Sequence, residues 1–164
     1  MAPVDPRIYN IHLDANAVDR DGSTHDALVD RFETLRDAGE LNVVVPGSVR
    51  REVANPRTPA NVRAAFMPGI YTLPVNRTGP ELTTPAKIRA LLRGKAQSGK
   101  HDADAEHLFE ASKYGGGYFI THDRRILNKR EELAPLIGPA LTILTLEDFL
   151  AVYARFAAQA GSSP

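Results

Sequence analysis

Two carboxylates bracket the stretch Asp104-Ala-Glu-His-Leu-Phe-Glu-Ala-Ser-Lys-Tyr-Gly-Gly-Gly-Tyr-Phe-Ile-Thr-His-Asp123. It reads as a helix, a glycine turn, a short apolar strand and a Thr-His-Asp at the strand's end. If the strand runs parallel to its neighbours, Asp123 lies at the carboxyl edge of the sheet, where open α/β folds place their ligands. A right-handed crossover brings the start of the preceding helix, and with it Asp104 or Asp102, toward the same edge. Two more acids occupy comparable places. Asp14 ends the first strand, and Glu52 lies about one turn into the helix after the second. Each has an ordinary explanation alone: Asp14 as a turn cap, Glu52 as a surface partner of Arg50 or Arg51.

Gathered at one edge, such carboxylates repel one another and rise in pKa unless a cation neutralises them. Mg²⁺ or Mn²⁺, held by carboxylate oxygens and water, suits this donor set. An ion held in that way lowers the pKa of bound water and clamps a phosphodiester for in-line attack. Other chemistries are excluded by composition. The chain has no cysteine, so disulfides, thiolate metal sites and a cysteine nucleophile are ruled out. No serine sits in a Gly-x-Ser-x-Gly elbow, and no Walker or dinucleotide glycine motif occurs. His12, His25, His101, His107 and His122 show no metal-ligand spacing and are read as outside the metal's ligand set.

The elements that must position these acids alternate between strand and helix. Ile8–Asp14 is a strand candidate, and Thr24–Gly39 a helix with Ser23 or Thr24 as N-cap and Gly39 just past its end. Leu41–Pro46 is a β-branched run that suits a buried parallel strand. A helix opens at Gly47-Ser48. Prolines divide residues 54–101 into short pieces, with helices over 60–67 and 85–92 and a strand over 70–73. The helix over 102–114 is stopped by the triple glycine, and the strand over 118–121 follows. A polar helix runs from Arg124 to Leu133 and ends before Pro135. A last strand, Leu141–Leu144, leads into a helix over 146–160 that Thr145 caps. The pattern predicts one α/β domain over 1–164 around a mostly parallel sheet, with residues 1–7 and 161–164 as loose ends.

The 164 residues carry no net charge, yet the segment 41–100 holds ten cations against two anions, a candidate rim for a polyanion. Arg50, Arg51, Arg89 and Arg93 are the candidate contacts. No apolar run approaches the roughly 20 residues that cross a bilayer, and the first residues lack an apolar secretory core. The expected location is cytoplasmic, without a membrane partner.

The ordered pieces Ile11-His-Leu-Asp14-Ala-Asn16, Val45-Pro-Gly-Ser-Val-Arg-Arg-Glu52-Val, Asp104-Ala-Glu-His-Leu-Phe-Glu-Ala111, Phe119-Ile-Thr-His-Asp123 and Leu141-Thr-Ile-Leu-Thr-Leu-Glu-Asp-Phe-Leu150 resemble the PIN-domain nucleases, among them the VapC-like toxins. No single piece is specific; the set in order spans most of the chain. The resemblance implies a three-layer α/β/α sandwich and Mg²⁺- or Mn²⁺-dependent cleavage of RNA. It implies Asp14, Glu52, Asp104 and Asp123 as the acidic set, with Asp14, Asp104 and Asp123 on the metal and Asn16 and Thr121 as supporting polar groups. It further implies a homodimer and a cognate antitoxin. The alternative is a non-catalytic PIN-like module that binds RNA or a protein. Asp102 competes with Asp104 for the third acidic place, and His122 stands where Asn or Arg is more usual.

Overall fold

The computed structural model describes residues 3–45, 47–66, 70–71, 83–95, 101–113 and 116–161. Among the described residues, five parallel strands form one sheet in the order β3-β2-β1-β4-β5. They are β1 (Asn10–Leu13), β2 (Asn42–Val45), β3 (Ile70–Tyr71), β4 (Gly117–Ile120) and β5 (Leu141–Leu144). Residues 72–73, expected to extend β3, lie outside the described residues. The order reverses between β1 and β4, so the crevice beyond their carboxyl ends is the topological switch point.

Helices cover both faces, giving the three-layer α/β/α sandwich. In chain order they are α1 (His25–Asp37), α2 (Gly47–Val53), α3 (Ala60–Phe66), α4 (Thr84–Arg93), α5 (Asp102–Lys113), α6 (Arg124–Asn128), α7 (Arg130–Ile137) and α8 (Leu146–Ala160). A 3₁₀ turn at Ala15–Val18 follows β1. Two apolar clusters fill the sandwich, and strand alternation sorts side chains between them. Ile11, Leu13, Val43, Val45, Tyr118 and Ile120 join residues of α1, α2, α3 and α8. Phe119, Leu141 and Ile143 join residues of α4, α5, α6 and α7. No helix among the described residues is long and apolar enough to cross a membrane.

Three local features differ from expectation. Gly117 is the first residue of β4 rather than part of a helix stop. Its φ is +112°, and a Cβ there would fall 2.0 Å from Asn10 O. The glycine therefore lets β4 enter the sheet directly against β1. The segment after Asp123 forms two helices, α6 and α7, with Pro135 inside α7 rather than beyond its end. Lys129, with φ −103° and ψ 9°, separates them. Arg125 Nη1 donates to Leu92 O at 2.9 Å and Lys129 Nζ donates to Leu91 O, so both side chains satisfy orphan carbonyls at the end of α4. Asp5–Arg7, read from the sequence as part of a loose leader, and Ile8, read as the start of the first strand, form a turn, and Tyr118 Oη donates to Val4 O.

Candidate metal centre

Asp14 follows the last residue of β1. Its backbone stays in the ladder, donating to Ile120 O at 2.9 Å. It precedes the 3₁₀ turn, yet its side chain makes no capping bond there. The carboxylate, 5% exposed, is instead gripped from β4: Thr121 Oγ1 donates to Asp14 Oδ2 at 2.7 Å. The same hydroxyl accepts from Asp123 N at 3.0 Å, and Asn16 Oδ1 accepts from His122 N at 3.0 Å. Asn16 thus fixes the Thr-His-Asp turn through its carbonyl end. Asp123 both caps and presents: Oδ1 accepts from Arg125 N at 2.7 Å at the start of α6, while its carboxylate still belongs to a candidate ligand group.

Asp104 reaches the same place from the first turn of α5. Asp14, Asp104 and His107 offer ligand atoms within 4.8 Å of one another, and so do His101, Asp104 and Asp123. Asp104 is shared, which joins three carboxylates from three separate segments. Asp102 has another partner: Arg89 Nε lies 3.2 Å from its Oδ1. Asp102 thus pairs with α4, and Asp104 holds the position shared by both ligand groups. Glu52 lies on α2, but its side chain is outside the described residues.

Helix α5 carries a polar stripe at the helical repeat. Asp104 joins the acids, and His107, 1% exposed, places Nδ1 at 3.9 Å from Asp14 Oδ1. Glu110, 6% exposed, accepts from Ser48 N at 3.2 Å and from Ser48 Oγ. Glu110 therefore ties the start of α2 to α5 and fixes the backbone that carries Glu52. A buried glutamate five residues before a triple glycine looks like any helix acid in sequence, so nothing there marked it.

Spacing alone puts the histidines outside the ligand set. His101 and His107 each complete a candidate ligand group, although no spacing announced them. They sit on one helix and just before it, and only folding brings acids from β1 and β4 to meet them. The donor set, carboxylate oxygens and imidazole nitrogens, fits a divalent cation. His101 adds a buried Nε2 with no hydrogen-bond partner among the described residues.

Two clefts flank the 3₁₀ turn. One, of about 470 Å³, is lined by Asp14, Asn16, Asp19, Arg57, Thr58 and Asp104 among others. Arg57 is thus the cation that lines the acid-bearing cleft; among the described residues, Arg50, Arg51, Arg89 and Arg93 do not line it. Arg50, Arg51 and Arg93 are exposed on α2 and α4. The other cleft, of about 570 Å³, shares Asn16 and Asp19 and adds His25, His122 and Glu147. His25 and His122 meet edge to face at 4.5 Å. Burial, together with His25 alongside, lowers the His122 pKa below its ordinary value. No protein-family model, curated protein or solved structure matches this chain.

Proposed function

We propose that the protein is a metal-dependent nuclease of the PIN type that cleaves phosphodiester bonds in RNA. The observation that carries this reading is the convergence of Asp14, Asp104 and Asp123 at the carboxyl end of β1 and β4. The sheet order and the ordered sequence motifs support the same assignment. An Mg²⁺ or Mn²⁺ ion held there would supply Lewis acidity toward a phosphoryl oxygen and a water of lowered pKa.

The protein's own groups set the rest. Asp14, Asp104 and Asp123 would hold the ion, and Thr121 keeps Asp14 and the backbone of Asp123 in fixed relation. Asn16, whose carbonyl end is committed to the His122 amide, has its amide nitrogen as the remaining donor. Arg57 lines the acid-bearing cleft and would bind a phosphate of the substrate strand, neutralising charge that the acids would otherwise repel. Exposed Arg50, Arg51 and Arg93 would add sequence-independent attraction.

The test is incubation of the protein with a panel of end-labelled RNAs in Mn²⁺, in Mg²⁺ and in EDTA, beside Asp14→Asn. Cleavage that requires the ion and disappears in the variant is the expected result. Equal cutting by wild type and Asp14→Asn would remove the nuclease reading. Retention of RNA without cutting would leave a binding module instead.

A further inference from the structure

We propose that the centre takes nitrogen as well as oxygen donors, with His101 and His107 as ligands in two groups that share Asp104, and that it therefore selects first-row transition dications over Mg²⁺. The inference rests on the reading of the acids as a metal centre but is separate from the reaction performed there.

Three observations carry it. First, each group of mutually close ligand atoms contains a histidine: His107 with Asp14 and Asp104, His101 with Asp104 and Asp123. His101 Nδ1 lies 3.0 Å from Asp104 Oδ2. Donors at about 2.1 Å from one ion and at right angles to each other stand about 3.0 Å apart, so the pair needs little movement to share an ion. Second, His101 Nε2 is buried without a hydrogen-bond partner among the described residues. Nδ1 is the nitrogen that faces Asp104, and an Nε2 free of competing bonds can carry the ring proton while Nδ1 ligates. Third, His101 has φ +72°, the one positive value among described non-glycine residues. That conformation falls at the residue just before α5, and histidine, asparagine and aspartate adopt it more readily than other side chains.

The consequence follows from ligand chemistry. Mg²⁺ favours an all-oxygen shell and sheds water reluctantly, whereas imidazole suits Mn²⁺, Co²⁺ and Zn²⁺ progressively better. A centre flanked by two imidazoles therefore gains affinity for the second class that it does not gain for Mg²⁺. An acidic cluster alone would not discriminate in this way.

Mn²⁺ is the probe. Pulsed electron paramagnetic resonance of the Mn²⁺-bound wild-type protein should show ¹⁴N couplings from imidazole. Titration calorimetry should show that His101→Asn, which tolerates the positive φ, weakens Mn²⁺ binding by about tenfold or more, with Mg²⁺ binding changed less than about threefold. An oxygen-only spectrum, an equal loss for both ions in the variant, or no Mn²⁺ binding at all would each overturn the proposal. Cleavage of RNA with an oxygen-only spectrum would sink this inference and leave the nuclease reading intact. Nitrogen couplings without cleavage would do the reverse.

Discussion

Thr121 Oγ1 lies 2.7 Å from Asp14 Oδ2, closing a bond between residues 107 positions apart in the chain. The hydroxyl is fully buried, and it also contacts the amide of Asp123 at 3.0 Å and Asn16 Oδ1 at 3.3 Å. One side chain thus sets the distance between the acid ending β1 and the acid following β4. The relation depends on the parallel pairing of these strands, which aligns Leu13 with Ile120.

Thr121→Val keeps the shape of this side chain and removes every bond of the hydroxyl. It should lower stability by about 1–3 kcal/mol, because a buried carboxylate oxygen and an amide lose their partner. It should also weaken Mn²⁺ binding by about tenfold or more, as loss of a supporting hydrogen bond does at metal sites. Urea denaturation and calorimetry read the two effects; unchanged Mn²⁺ affinity would show that Thr121 serves the fold alone.

Asp104 and Asp102 should part company. Asp104→Asn is expected to reduce RNA cleavage by at least about a hundredfold, the scale at which single electrostatic groups act in reaction centres. Asp102→Asn breaks only a half-exposed ion pair with Arg89. Such pairs contribute about 0–1 kcal/mol, so cleavage should stay within about threefold of wild type. Single-turnover rates on one labelled RNA decide it, and equal losses would contradict the separation.

Arg57→Ala should act on substrate binding more than on the chemical step. A lost charge-assisted phosphate contact is worth about 1.5–3 kcal/mol, so KM should rise about tenfold or more with kcat little changed. The slope of log affinity against log salt should become shallower by about one. A fall in kcat at constant KM would place Arg57 on the reacting phosphate instead.

Gly117→Ala should destabilise the protein by about 3 kcal/mol or more, combining left-handed strain with overpacking. The added methyl would meet Asn10 O at 2.0 Å, and backbone cannot step aside as a flexible side chain does. Thermal unfolding compared with Gly39→Ala, where no atom lies within 4 Å, separates the two causes. If both variants lose the same amount, close approach of β4 to β1 contributes nothing.

His12 should make the metal-free protein acid-sensitive. Burial lowers its imidazole to about 4 from an ordinary 6.5. The unfolded chain therefore binds a proton between those values while the folded one does not, so stability falls as pH drops through that window. The full difference is about 3 kcal/mol, since each tenfold change in proton affinity corresponds to about 1.4 kcal/mol. Urea midpoints in EDTA at pH 7.5 and pH 4.5 should differ accordingly, and His12→Leu should lose this component. Equal pH dependence of both proteins would refute it.

Much of the frame was legible because local patterns agreed with the fold. β-branched and apolar runs ended on Asp14 and before Pro46, Gly39 followed its helix, and Thr145 accepts from Asp148 N at 3.1 Å as the cap of α8. Helix ends were legible to within a residue or two, because caps and glycines act locally. The division of 124–137 into α6 and α7 was not, since no glycine or proline marks Lys129.

The sequence by itself determined the alternation of strands and helices, the absence of thiol chemistry and the chain positions of the acids. Those follow from side-chain type and period, which are properties of short segments. Tertiary structure decided which groups meet. It turned Asp102 to Arg89 and Asp104 to Asp14 and His101, put Arg57 rather than Arg50 or Arg89 on the cleft, and buried Glu110 against Ser48. Contacts between residues tens of positions apart depend on strand order and helix rotation, and neither quantity is encoded in any one segment.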